Sequence, residues 1–67
     1  MIRLRVRGMT CGHCERAVRA ALAAVAGVTQ VVEVERERGL AVVEGAPDVA
    51  ALVEAVRAEG YEAEVGP

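Results

Sequence analysis

The 67-residue chain has no phenylalanine, no tryptophan and no lysine, and it has a single tyrosine. Without large rings, a core must be assembled from Val, Leu, Ile and Ala, which pack densely but bury less area apiece. Long apolar runs are missing too. The longest, "AALAAVAGV" at residues 20–28, falls far short of the ~20 residues that span a bilayer. Arg3, Arg5 and Arg7 interrupt the first apolar positions, which excludes the unbroken apolar segment of a secretory signal. A net charge of −2 leaves no electrostatic footprint for nucleic acid. A cytoplasmic protein is therefore the expectation. There, two cysteines are expected to bind metal or perform catalysis instead of stapling the fold. A bond between Cys11 and Cys14 would close too short a loop to add much stability.

What is present describes a folded domain. Hydrophobic residues make up 54% and charged residues 27%, a balance that argues against disorder. The length suits one domain over residues 1–67, whose core alone supplies no more than about 3–5 kcal/mol. Charge is unevenly placed. Residues 1–26 carry five Arg and one Glu, a local net of +4, and residues 27–67 carry three Arg, eight Glu and one Asp, a local net of −6.

"IRLRVR" alternates strictly, with Ile2, Leu4 and Val6 on one face and Arg3, Arg5 and Arg7 on the other, which predicts a half-buried strand. The loop "GMTCGH" follows. From Cys14 to Ala26 the spacing of Val18, Leu22 (or Ala21) and Val25 predicts a helix, stopped by Gly27. "VTQVVEVERE" is a second strand with a blurred register, because Val31 and Val32 adjoin while Glu33 and Arg36 fall near apolar positions. A bulge or shifted register is expected there. "RERG" is a turn and "LAVVE" a third strand, giving a hairpin. A second helix opens with Pro47 near its first position and Asp48 in its first turn, buries Val49, Leu52, Val53 and Val56, and ends at Gly60. "YEAEV" is a last short strand.

The order β-α-β-β-α-β predicts an α+β fold, a ferredoxin-like sandwich of one four-stranded antiparallel sheet with both helices on one face. The first and last strands are then neighbours, with Arg3, Arg5 and Arg7 across from Glu62 and Glu64. On this reading the arginine stripe is a solvated sheet face in preference to a docking patch.

"GMTCGHC", residues 8–14, carries the chemistry. Cys11 in the loop and Cys14 at the helix start can converge on one atom, and Gly12 between them would free the backbone to do so. The orphan N–H groups and positive dipole end of the helix favour the thiolate, the form that binds metal or attacks disulfides. Thiolates select Cu(I), Zn and other thiophilic ions over Mg or Ca. A closed zinc site wants four protein ligands, and beyond the two cysteines the chain offers only His13 and the Met9 thioether nearby. Two sulfurs without a second pair suit Cu(I).

Letter for letter, "CGHC" also resembles the redox tetrapeptide of protein disulfide isomerases. Thioredoxin-like domains are longer, carry Trp before the motif and set a proline opposite it. Here Thr10 precedes Cys11, no Trp exists, and Pro47 and Pro67 sit at a helix start and the chain end. A thiol-disulfide oxidoreductase is thus disfavoured, and no enzyme is expected.

"GMTCGHC" after the first strand, "GV" at Gly27-Val28 and "GY" at Gly60-Tyr61 together resemble the heavy-metal-associated domain over essentially the whole chain. Within that family the chain is similar to bacterial copper chaperones, with His before the second cysteine and Tyr in the "GY" loop. The resemblance implies a Cu(I) carrier that passes its ion to a copper-transporting P-type ATPase or similar CxxC protein. It implies Cys11 and Cys14 as ligands, Met9 buried beneath the loop and Tyr61 close to the metal. Thr10, Gly12 and His13 complete the surroundings of the pair, His13 being expected beside the ion and not on it. Met9 is expected as core filler, Gly8 and Gly12 as backbone devices, and Glu15 as surface. Alternatives are a buffer or sensor for Zn, Cd or Hg, a metal-bridged dimer, or a regulatory domain of a longer transporter. The start at Met1 and the end soon after the last strand disfavour that last reading.

Overall fold

A computed structural model describes residues 1–10 and 12–66. Its elements are β1 (Ile2–Arg7), α1 (Gly12–Ala23), β2 (Val28–Glu35), β3 (Leu40–Gly45), α2 (Val49–Ala58) and β4 (Glu62–Val65). The strands form one antiparallel sheet in the order β2-β3-β1-β4, with the register Leu4↔Ala41 between β1 and β3. This is the ferredoxin-like sandwich that the element order predicts. Leu4, Val6, Ala41, Val43 and Val34 on the sheet meet Val18 and Leu22 of α1 and Leu52 and Val56 of α2 in a single cluster, so both helices cover the same face. Leu4, Leu22 and Leu52, all fully buried, are its largest members and replace the absent rings.

β2 shows why its register was blurred. The pairing with β3 shifts between Val28 and Gln30 and again between Val31 and Glu33. Val28, Val31 and Val34 therefore all pack toward the core at a spacing of three, while Val32 is turned out, 40% exposed. An extra residue at each shift re-aims the next side chain, as bulges do. Strand pairing stops at Glu35, and Arg36–Gly39 form the turn of the hairpin.

The helix limits differ from those read in the sequence. α1 begins at Gly12, not Cys14, so Gly12 and His13 are helical. It ends at Ala23 instead of Ala26, because the chain tightens into turns in which Val25 N–H donates to Leu22 O and Val28 N–H to Val25 O. Asp48 is the N-cap of α2, its carboxylate accepting the Ala50 N–H at 3.0 Å, and Pro47 lies before the helix. Val49, the first residue of the helix, is 37% exposed, outside the apolar face assigned to it. After the C-cap Glu59, Gly60 takes φ +94°, a stop that glycine adopts readily.

Only part of the charged ladder forms. Arg5 lies opposite Glu64 and Arg7 opposite Glu62, while Arg3 lies beyond the acidic pair and opposite Val42 of β3. The ion pair is diagonal, Arg7 Nη2 to Glu64 Oε1 at 3.8 Å, and well exposed.

Candidate metal centre

Three connections meet at one end of the sheet. β1 and β2 both finish there, so the β1–α1 loop stands beside the Arg36–Gly39 turn, and β4 starts there with Glu62 opposite Arg7. Val6 N–H donates to Gly39 O at 2.8 Å, tying the hairpin turn to the end of β1. Gly39 is suited to this approach, because at φ +60° any Cβ would stand 2.7 Å from Val6 O.

Within the loop, Gly8 turns the chain out of β1 at φ +99°. Met9 then folds inward, is buried, and joins the cluster containing Leu4 and Val18. Its burial anchors the loop to the core. Thr10 is exposed, with Oγ1 3.8 Å from Cys14 Sγ. Cys14 sits in the first turn of α1, half-buried, packed against the edge of the core. His13, one residue earlier, is exposed. Cys11, the other sulfur of the motif, lies outside the described residues. Tyr61 packs against the core from the α2–β4 connection, and its Cδ1 lies 3.3 Å from where a Gly8 Cβ would project. The structure thus gathers Gly8, Met9, Thr10, Gly12, His13, Cys14 and Tyr61 at one end.

Two readings change. Gly12 is no backbone device: it is helical, its φ is not left-handed, and an added Cβ would meet nothing nearer than Arg36 Nη1 at 3.8 Å. Nor is Glu15 merely surface. Its Oε2 accepts the backbone N–H of Arg36 at 2.8 Å, and its Oε1 lies 3.6 Å from Arg36 Nη1. Glu15 and Arg36 are 21 residues apart, and no local pattern marks the pair; the only sequence signal was that Arg36 broke the alternation of β2.

Among the described residues no group of three or more His, Cys, Asp or Glu side chains is arranged to hold a metal ion. Cys14, half-buried in the first turn of α1, is a soft donor of the kind that thiophilic ions select. No helix among the described residues is long and apolar enough to cross a membrane.

The sequence profile of the heavy-metal-associated domain matches residues 3–62. The chain belongs to that family. No curated protein matches significantly. Among solved structures, this heavy-metal-associated domain is similar to the CopZ metallochaperone, at 35% identity and a TM-score of 0.85 over 92% of this chain and 96% of that one. A copper binding domain from HMA7, a P-type ATPase, aligns at 32% identity and a TM-score of 0.92, covering 98% and 92% of the two chains. Oxidized MerP from Ralstonia metallidurans CH34 aligns at 35% identity and a TM-score of 0.90, covering 98% and 94%. The domain thus has the fold of metal-carrying proteins, with copper chaperones and a transporter's metal-binding domain both among its neighbours.

Proposed function

We propose that this heavy-metal-associated domain is a cytoplasmic Cu(I) chaperone. It takes one ion between the thiolates of Cys11 and Cys14 and passes it to a CxxC-bearing partner such as a copper-transporting P-type ATPase. The observation that carries this reading is the place of Cys14. A soft donor stands half-buried in the first turn of a helix, at the exposed end of a fold shared with copper carriers. The helix N-terminus favours the negative charge of two thiolates around one monovalent cation.

Transfer proceeds by ligand exchange. A partner thiolate forms a bond to copper while both cysteines still hold it, and a three-coordinate bridge results. One Cys–copper bond then breaks, and a second partner sulfur replaces the other. Copper stays Cu(I) throughout, so no oxidant or reductant is required, and nothing in the step calls for an enzyme. Met9 keeps the loop seated on the core while the sulfurs change partners. His13 and Thr10 stand at the exposed rim, where a partner would approach.

Competition titration against Cu(I) and Zn chelators tests the proposal. One Cu(I) per chain is expected for the native protein, with affinity lost in Cys11→Ser and Cys14→Ser. Unchanged affinity in the doubly substituted chain would refute it. A preference for zinc at equal availability would transfer the function to a zinc buffer.

A further inference from the structure

We propose that Arg36 and Glu15 form a charge-balancing pair that sets how tightly the metal site holds its ion. This inference rests on the Cu(I) reading above. It concerns Glu15, in the first turn of α1 but outside the motif, and Arg36, which the fold brings against that turn.

The physical problem is one of competing negative charges. Two thiolates around Cu(I) carry a net charge of −1, and a third sulfur from a partner makes the bridged species −2. Glu15 adds a fixed carboxylate next to Cys14 in the same first turn, where it draws on the same helix dipole. Left alone, that carboxylate repels the metal complex. The fold supplies a cation to offset it. Arg36 Nη1 lies 3.6 Å from Glu15 Oε1 and 3.8 Å from where a Cβ on Gly12 would project, so the guanidinium is close both to the carboxylate and to Gly12, in the segment joining the two cysteines. The pair is partly shielded, its side chains 42% and 30% exposed, so solvent screens the interaction only in part. Arg38, the other arginine of the turn, is taken up by Glu35 at 3.2 Å, which leaves Arg36 as the turn's cation beside α1.

The backbone separates charge from scaffold. The Arg36 N–H that bonds to Glu15 belongs to the main chain. Arg36→Gln keeps that bond, and Glu15→Gln retains a carbonyl oxygen to accept it. Both variants therefore remove charge while keeping the tie between the hairpin turn and α1. Arg36 and Glu15 are positioning residues here, acting on the ion through space and not by ligation.

Cu(I) affinity measured by chelator competition on four proteins decides the matter: native, Arg36→Gln, Glu15→Gln and the double variant. Arg36→Gln is expected to weaken Cu(I) binding on the order of three- to tenfold, the scale of one unit charge at short range in a partly screened site. Glu15→Gln is expected to tighten binding by a similar factor, because the positive charge beside the first turn of α1 is then unopposed. The double variant should return to within about twofold of the native protein. Opposite signs with recovery cannot arise from loosening of the turn, which would weaken binding in both single variants. Equal affinity in all four proteins, or a shift of both single variants in one direction, overturns the inference. Cys14→Ser measured alongside separates the two claims. Lost Cu(I) binding in that variant with no effect of Arg36→Gln sinks the charge pair alone, whereas retained binding sinks both readings.

Discussion

Tyr61 closes over Gly8, its Cδ1 3.3 Å from the point where a Gly8 side chain would begin. The contact joins the α2–β4 connection to the loop that carries the metal motif, and it needs a residue without a Cβ at a left-handed φ of +99°. Gly8→Ala must accept that backbone strain and push against the ring as well. A destabilisation of about 1–3 kcal/mol is expected, read as a lower midpoint in thermal unfolding.

Leu22 of α1 and Leu52 of α2 belong to one core cluster, both fully buried. Truncation of either to Ala removes apolar burial and leaves a cavity, at a cost of about 2–5 kcal/mol. A core of this size supplies only about 3–5 kcal/mol in total. Either variant is therefore expected to be largely unfolded at 25 °C, with collapsed amide dispersion in NMR spectra. A well-folded Leu52→Ala would show that stability is distributed elsewhere.

Asp48 caps α2 through Ala50 N–H at 3.0 Å. Asp48→Ala leaves that donor without its partner and should cost about 1 kcal/mol, while Asp48→Ser should recover most of it. Parallel thermal melts provide the check, with about 4–8 °C expected per kcal/mol in a domain this small. Equal midpoints for the alanine and serine variants would remove the cap from the account.

On the proposed function, Cu(I) bound to the folded chain should raise its stability by mass action. At free Cu(I) one hundred times Kd the gain is about 2.7 kcal/mol, so the midpoint should rise by roughly 10–20 °C. The rise should vanish in the Cys11→Ser, Cys14→Ser double variant. A comparable rise in that variant would place the copper somewhere other than the motif.

Residues 1–26 carry a local net of +4, and Arg3, Arg5 and Arg7 of β1 are exposed. If an acidic partner is steered by this field, Cu(I) transfer to it should slow as ionic strength rises past about 0.1 M, where the screening length falls to about 10 Å. A transfer rate that stays flat with added salt would rule out steering.

Much of the architecture could be read directly from residue spacing. Strict alternation in "IRLRVR" allows only one face inward, and Leu4 and Val6 are buried as that pattern demands. The 3.6-residue period places Val18, Leu22, Leu52 and Val56 inward on their helices for the same reason. The cysteine pair could be picked out from spacing alone, because two sulfurs two residues apart can converge on one soft ion. These are local properties, decided by side-chain volume, polarity and backbone preference over a few residues.

Other features needed the folded chain. Both register shifts of β2 depend on what β3 offers across the ladder, so adjacent Val31 and Val32 could signal irregularity without locating it. The onset of α1 at Gly12 could not be read from propensity, which disfavours glycine in a helix. The Glu15–Arg36 bond joins residues far apart in the chain, and only the return of β2 to the end of β1 brings them together. Short-range order came from the amino acids themselves; the electrostatic surroundings of the metal motif arose from topology, because charge acts across space and chain order does not record which loops will meet.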